Sequence, residues 1–337
     1  MHSGSSDISK QYKDFKINNT KLRLFIIAAC LTLCAAATAQ EQEKLITPNE
    51  TFLFESREDG DLFLDIYNPA SGSQTEIDGK QKPTILFMFG GGFIRGTRDD
   101  ESYHKWFKML TDNGFRVVSI DYRLGLKGSD KVGVAQVNVL DQAIHMAVED
   151  LFSATRYIYD NTDQLGIDAN NIVISGSSAG AITVMQAEYE LCNKTKWAAV
   201  LPEGFRYAGV MSFSGAILSR EGELDYARMP VPTLMLHGTA DELVNYNQIK
   251  FFNLGFFGGG KLVKRFEKLG FNYNMYHFVG YGHEIAGSME TTFDLQLRFI
   301  ETNVMKGKRR IVDAWIDDPD VFKGVGVQSR KELYGNE

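Results

Sequence analysis

The stretch Asn-Ile-Val-Ile-Ser-Gly-Ser-Ser-Ala-Gly, residues 171–180, decides the fold of this chain. A short apolar run ends there in the pattern Gly-x-Ser-x-Gly, and residues 181–190 continue with a helical pattern. This strand–turn–helix context predicts a sharp turn with the side chain of Ser178 exposed at its apex. Gly176 and Gly180 are required because a Cβ atom at either position would collide with the neighbouring strand or helix. We therefore expect Ser178 above the N-terminus of a helix, where the helix dipole favours negative charge.

Outward from this turn, short apolar runs alternate with helical stretches. Runs without polar alternation are typical of strands that are covered on both faces. A long helix is indicated by apolar residues at spacings of three and four from Val137 to Ile158. His145 falls off that stripe and is expected to be a solvated surface residue. The apolar runs, the first two of which read as a hairpin, lie at 51–54, 62–67, 84–89, 116–120, 171–175, 208–213, 233–236 and 274–278.

This order of elements predicts an α/β fold with a mostly parallel central sheet, an N-terminal antiparallel hairpin and helices on both faces. No large cap or lid is expected, because the segment between the runs 208–213 and 233–236 is short and polar. Ligands of such open sheets bind beyond the carboxyl ends of the strands. Loops that follow strands are therefore where chemistry is expected.

Two such loops supply the partners that a nucleophilic serine needs. A serine hydroxyl requires a base to take its proton, and the base requires an acid to orient it. Asp241 and His283 each lie just after a predicted strand, in the order Ser, Asp, His. The predicted catalytic residues are therefore Ser178, Asp241 and His283. His237 is expected to fix the loop of Asp241, and Glu242 is a rival acid one position away.

A third loop offers hydrogen-bond donors for a negatively charged oxygen. The run 84–89 leads into Gly90-Gly91-Gly92-Phe93, where the backbone itself can approach a substrate. Acyl transfer passes through a tetrahedral intermediate whose oxygen is stabilised by preorganised N–H groups. We expect these donors from Gly91, Gly92 and Ala179. A flexible loop without this role is the alternative.

These blocks, together with Asp121-Tyr122-Arg123-Leu124, resemble the α/β-hydrolases of the carboxylesterase and lipase superfamily, and among them secreted bacterial acetyl- and feruloyl-esterases. The resemblance covers roughly residues 50–303. It implies the α/β-hydrolase fold and a Ser-His-Asp triad, whereas such motifs specify the substrate poorly. Many relatives place a histidine before the three glycines, where this chain has Phe89. Another group must hold the loop here, or the loop is more mobile. The resemblance also implies that Asp121 is a structural brace.

The N-terminal residues have the pattern of a secretion signal. Lys21 and Arg23 precede an apolar run at 24–37, and Ala37-Thr38-Ala39 fits a signal peptidase site. The run is shorter than the ~20 residues that span a bilayer. We expect residues 1–39 to be a signal peptide with a long n-region and the mature chain to be exported, to the periplasm, the outer surface or the medium, without an integral membrane span. An uncleaved anchor and a lipoprotein modified at Cys30 are the alternatives.

Composition limits the partners and cofactors. The chain carries a net charge of −7, and its N-terminal leader is basic, so the remainder has no electrostatic attraction to nucleic acid. No histidine, aspartate or glutamate residues have metal-ligand spacing, and no cofactor is expected. Cys192, the one cysteine beyond the leader, is expected to be a small buried hydrophobe. We assign residues 40–305 to the catalytic domain and 306–337 to a solvated extension; the oligomeric state is not predicted.

These features favour an exported serine esterase that works through an acyl-enzyme. Export, the absence of a lid and the resemblance favour a short acyl or cinnamoyl ester as the substrate. This ester could be a small molecule or could be borne on a glycan. A serine exopeptidase of the prolyl-oligopeptidase type and a non-catalytic binding protein on a hydrolase scaffold are the alternatives. Two sets of residues offer weaker hints about the substrate. A polar alcohol could bind at a charged segment formed by Arg95, Arg98, Asp99 and Asp100. An acyl or aromatic pocket could be lined by an aromatic cluster, although such clusters are more often core: Phe251, Phe252, Phe256 and Phe257.

Overall fold

The computed structural model describes residues 45–128 and 137–322. The predicted signal peptide lies outside the described residues. The strands are β1 (Glu50–Arg57), β2 (Gly60–Tyr67), β3 (Glu76–Ile77), β4 (Lys80–Gln81), β5 (Thr84–Met88), β6 (Val117–Ile120), β7 (Ile172–Ser177), β8 (Gly209–Phe213), β9 (Ala216–Ser219), β10 (Thr233–Gly238), β11 (Gln248–Phe251), β12 (Leu254–Gly258), β13 (Tyr273–Phe278) and β14 (Val312–Ile316). The α-helices are α1 (His104–Asp112), α2 (Val137–Asp160), α3 (Thr162–Leu165), α4 (Ala179–Cys192), α5 (Gly259–Leu269) and α6 (Phe293–Phe299). Shorter 3₁₀ turns cover Glu101–Tyr103, Lys196–Val200 and His283–Gly287, and a π-helical turn covers Ile300–Met305.

A nine-stranded sheet forms the centre of the described part of the chain, in the order β1-β2-β6-β5-β7-β8-β10-β13-β14. The hairpin of β1 and β2 is antiparallel and joins β6 in antiparallel fashion, and every later pair is parallel. All residues of β5, β6, β7, β8 and β10 are buried. Strands buried on both faces need helices on both sides, so the apolar runs produce the α/β fold that the sequence predicts.

Two parts of the sheet system differ from the prediction. A small antiparallel sheet, β11-β12-β9, arises from the segments after β8 and β10. In this sheet Phe257 is buried in the core, whereas Phe251 and Phe252 are exposed at the hairpin tip. The central sheet also continues past residue 305, where the sequence analysis places a solvated extension, because β14 pairs with β13.

His145 is a further difference from the prediction. Its ring stacks on Trp197 with centroids 4.7 Å apart, and its two nitrogens face carboxylates of Asp141 and Glu190 at 3.2 and 3.3 Å. Burial opposes a charge on His145, but these hydrogen bonds outweigh it and raise its pKa to about 9. Helical periodicity misplaces this residue because the partner segment, the turn at Lys196–Val200, covers the polar side of the helix.

Candidate active site

The turn after β7 holds Ser178 in a strained conformation. Ser178 has a φ of +50°, which is uncommon for a residue with a side chain, and it immediately precedes α4. A Cβ atom on Gly180 would lie 2.1 Å from the Met88 carbonyl oxygen, and one on Gly176 would lie 2.3 Å from the Gly180 carbonyl. Only glycine fits at either position, so α4 begins directly against the end of β5. The Ser178 amide is fixed by a 2.9 Å hydrogen bond to the Phe213 carbonyl.

The structure brings Ser178, Asp241 and His283 together in one hydrogen-bonded line. His283 Nε2 lies 2.8 Å from Ser178 Oγ, and His283 Nδ1 lies 2.8 Å from Asp241 Oδ2. All three residues are buried. Because the carboxylate faces Nδ1, the imidazole proton resides on Nδ1 and Nε2 is free to accept the proton of Ser178. This arrangement can turn the serine hydroxyl into a nucleophile.

The Asp241 carboxylate is held by its own loop. Its Oδ1 accepts hydrogen bonds from the amides of Leu243 and Val244, each 2.9 Å long. Burial would raise the pKa of Asp241, but hydrogen bonds from His237 and His283 outweigh that cost and hold the pKa well below its usual range. Asp241 is therefore ionised at neutral pH. Glu242, the rival acid, is exposed to solvent.

His237 acts from behind this carboxylate. Its Nδ1 faces the amide N–H of Gly259 at 3.3 Å, so the proton of the ring lies on Nε2. Nε2 is 2.9 Å from the Val244 carbonyl and 3.3 Å from Asp241 Oδ2. His237 thus ties the Asp241 loop to the first residue of α5, which is the role that the sequence analysis expects of it.

The glycine loop after β5 lies against the nucleophile. A Cβ atom on Gly90 would be 3.3 Å from Ser178 Cβ. Gly91, Gly92 and Phe93 all have positive φ angles, which turn the loop sharply. Among the described residues, no hydrogen bond uses the N–H of Gly91 or Gly92. Two amides beside Ser178 are therefore available for a substrate oxygen, and Ala179 follows Ser178 as the first residue of α4.

Two tyrosines hold this loop in place of the histidine that many relatives carry. The Tyr122 hydroxyl donates a 2.9 Å hydrogen bond to the Phe89 carbonyl, and its ring stacks on the Phe89 ring at 4.3 Å. The Tyr103 hydroxyl accepts a 3.0 Å hydrogen bond from the Gly90 amide. Burial raises the pKa of both hydroxyls, so both stay protonated. Tyr122 lies within the motif Asp121-Tyr122-Arg123-Leu124, but nothing in the sequence pattern around Tyr103 indicates this role.

Tyr103 also connects the glycine loop to the histidine loop. Its hydroxyl contacts the side chain of Ser177, which in turn donates a 2.8 Å hydrogen bond to the Ala286 carbonyl. Ala286 belongs to the 3₁₀ turn that begins at His283. The oxyanion donors and the base are therefore joined through one chain of side-chain contacts.

The C-terminal segment supports the histidine loop from the other side. Tyr281, two residues before His283, donates a 2.8 Å hydrogen bond from its hydroxyl to the Asp318 carbonyl. The buried ring of Phe322 packs edge-on against Tyr281 and Phe278, with centroids 5.1 and 5.2 Å apart. Residues 312–322 are thus part of the structure around the site.

The charged segment after the glycine loop is mostly neutralised internally. Arg98 pairs with Asp65 at 2.9 Å and Asp121 at 2.7 Å, and Asp121 also accepts the Phe63 amide, as a structural brace would. Asp99 accepts a hydrogen bond from Tyr67 and lies 2.8 Å from a nitrogen of His104. In the same segment, Asp100 caps the turn at Glu101–Tyr103.

Within residues 45–128 and 137–322, no three histidine, cysteine or acidic side chains are grouped closely enough to hold a metal ion. Over the same ranges, no helix is long and apolar enough to cross a membrane.

Comparisons with known proteins agree with this fold. Residues 64–196 match the BD-FAE family, and residues 133–289 match the phospholipase/carboxylesterase family. The chain is 33% identical over 143 residues to the non-reducing polyketide synthase ausA of Emericella nidulans and 32% identical over 107 residues to gut esterase 1 of Caenorhabditis briggsae. These matches cover 40% and 32% of this chain, but only 5% and 18% of the two relatives. Esterase 2 of Thermogutta terrifontis, in its propionate-bound structure, superposes with a TM-score of 0.52 at 21% identity, over 76% of this chain and 96% of that one.

The fold and the comparisons together define the class of protein: this chain has the α/β-hydrolase fold. The match of residues 133–289 to the phospholipase/carboxylesterase family agrees with the resemblance in the sequence. The matches span less than a fifth of these two relatives' length, so the substrate of this chain has to be inferred from the site.

Proposed function

We propose that the protein is an exported serine esterase that hydrolyses carboxylic esters through an acyl-enzyme. The observation that carries this proposal is the line of hydrogen bonds from Ser178 through His283 to Asp241, beside two glycine amides with no partner among the described residues. Esterases among the relatives support the same reaction class.

In the proposed reaction, Ser178 Oγ attacks the ester carbonyl while its proton moves to His283 Nε2. Asp241 stabilises the imidazolium that forms, and the amides of Gly91, Gly92 and Ala179 bind the oxyanion. His283 then gives its proton to the departing alcohol, which leaves the acyl group on Ser178. Water, deprotonated by His283, attacks the acyl-enzyme and releases the acid and the free serine.

For the substrate we propose a short acyl or cinnamoyl ester borne on a carbohydrate. The segment after β9, residues 220–223, is polar and mostly exposed, and it offers no apolar lid for long-chain lipid. The proposed export, which rests on the leader sequence, would bring the enzyme to glycans outside the cytoplasm. A mature N-terminus at residue 40 in the exported protein would support this localisation, and retention of the leader in a cytosolic protein would oppose it.

The test is the initial rate on p-nitrophenyl esters from acetyl to palmitoyl. Ser178→Ala should lower kcat by several orders of magnitude, and Asp241→Asn should do so to a smaller extent. Glu242→Gln is the matched control, because it makes the same change one position away on an exposed side chain, and it should retain activity. Equal activity of wild type and Ser178→Ala would refute the proposal. Faster turnover of amides than of esters would favour a peptidase instead.

A further inference from the structure

We infer that Arg95 binds a carboxylate on the substrate, so that the preferred esters are anionic; this inference rests on the proposed function. Its first support is position. The amides of Ile94 and Arg95 both donate to the Gly91 carbonyl, at 3.1 and 3.2 Å, which folds residue 95 back onto the oxyanion loop. A Cβ atom on Gly91 would lie 2.0 Å from the Arg95 carbonyl oxygen and 3.4 Å from Arg95 Cγ.

The next residue fixes the same geometry independently. Gly96 has a φ of +113°, and a Cβ atom there would lie 2.5 Å from the Phe89 ring and 2.8 Å from the Gly90 carbonyl oxygen. The backbone at residues 95 and 96 is therefore packed against residues 89–91, and the base of the Arg95 side chain is held against the glycine loop. Only its outer part can move.

The second support is charge. Of the four charged side chains in residues 95–100, three have internal partners, as described above for Arg98, Asp99 and Asp100. Arg95 is exposed, and no described residue supplies an ion pair or hydrogen bond to its side chain. A guanidinium whose stem starts on the oxyanion loop and whose five N–H groups are uncommitted matches a carboxylate in geometry and charge better than it matches a neutral hydroxyl.

The carboxylate can belong to either half of the ester, and two substrates distinguish the halves. Phenyl hydrogen adipate carries it on the acyl side, and 4-acetoxybenzoate carries it on the alcohol side. Each is compared with its primary amide, which has nearly the same shape and no charge. The quantity measured is the ratio of kcat/KM for the acid to kcat/KM for the amide, with phenol release followed by chromatography.

Arg95→Ala should lower this ratio about tenfold for at least one substrate pair, because a charge-assisted contact is lost. Arg95→Lys should restore part of the ratio, and added salt should reduce it in the wild type. Arg156→Ala removes the same charge from an exposed pair with Asp160 on α2 and should leave the ratio unchanged. A ratio that Arg95→Ala leaves unchanged in both pairs overturns the inference while the esterase proposal stands. Absence of Ser178-dependent cleavage of acids and amides alike overturns the esterase proposal and the inference with it.

Discussion

Replacing Tyr122 by phenylalanine tests whether a buried hydroxyl, through the backbone, sets the efficiency of this active site. The substitution keeps the ring that stacks on Phe89 and removes the hydroxyl that donates to the Phe89 carbonyl at 2.9 Å and to the Gly90 carbonyl at 3.4 Å. The Phe89 carbonyl precedes Gly90, where the oxyanion loop begins. We expect the loop to gain freedom and the amides of Gly91 and Gly92 to spend less time in the orientation that an oxyanion needs.

The magnitude follows from the contacts. Leaving a buried carbonyl without a donor costs about 1–3 kcal/mol of stability. Removing an oxyanion donor outright costs a factor of roughly 10²–10³ in kcat. Tyr122 only orients the loop, and Tyr103 still holds the Gly90 amide at 3.0 Å, so we expect a loss of about tenfold from Tyr122→Phe. Tyr103→Phe combined with Tyr122→Phe should approach the loss of roughly 10²-fold that a missing donor causes.

The assay is kcat and KM on a short-chain p-nitrophenyl ester, together with urea unfolding of the same variants. Tyr207→Phe is the matched control. The Tyr207 hydroxyl is also buried, and its hydrogen bond of 2.8 Å is to Thr155, which is not a residue of the active site. This variant should lose a similar free energy of unfolding and keep its kcat. If Tyr122→Phe loses stability but matches Tyr207→Phe in kcat, the tyrosine does not position the loop and the reasoning fails.

Three further predictions concern stability and the histidine loop. His145, with a folded pKa of about 9, stabilises the fold fully below pH ~6.5 and loses that contribution as the pH rises through 9. Urea unfolding should therefore show His145→Gln destabilised by roughly 2–3 kcal/mol at pH 6 and by little at pH 10. A difference that is the same at both pH values would contradict this. Burial raises the pKa of Glu188, whose Oε2 has no partner among the described residues, so ionisation costs stability as the pH rises above its unfolded pKa. Glu188→Gln should therefore raise the free energy of unfolding by about 1 kcal/mol at pH 7, and a loss there would refute the argument. Phe322→Ala should lower kcat about tenfold at a temperature well below melting, because a small displacement of His283 is costly, whereas an unchanged kcat with a lower melting temperature would make Phe322 purely structural.

The sequence predicts those parts of the molecule in which local pattern and tertiary position coincide. Apolar runs such as those of β5 and β7 need burial on both faces, and that requirement alone leads to a parallel sheet between helices. The comparisons confirm that fold, and the family models that match the chain are of the esterase kind that the resemblance implies. The order of Ser178, Asp241 and His283 predicts their meeting because the carboxyl ends of parallel strands share one edge of the sheet. Their catalytic roles stay predictions for the kinetic experiments.

Elements whose residues are not buried in a regular pattern cannot be predicted in this way. Every residue of β11 is exposed, so its strand character depends on pairing with β12 and has no counterpart in periodicity. The short strand β14 alternates between partly buried and exposed positions within a charged segment, and its partner β13 lies 34 residues or more earlier in the chain. His145 is misjudged for the same reason, since the residues that cover it come from another segment.

The support of the oxyanion loop shows why a missing motif residue need not mean a missing function. The loop requires an acceptor for the Gly90 amide and a donor for the Phe89 carbonyl, and these are backbone needs that any suitable side chain can meet. Tyr103 and Tyr122 meet them from positions 13 and 33 residues later. Because a tyrosine hydroxyl can both accept and donate, two tyrosines hold the loop at two points while Phe89 is free to stack. A histidine before the three glycines is one way to meet these two hydrogen-bonding needs of the backbone. The two tyrosines are another way, and only the folded structure shows it.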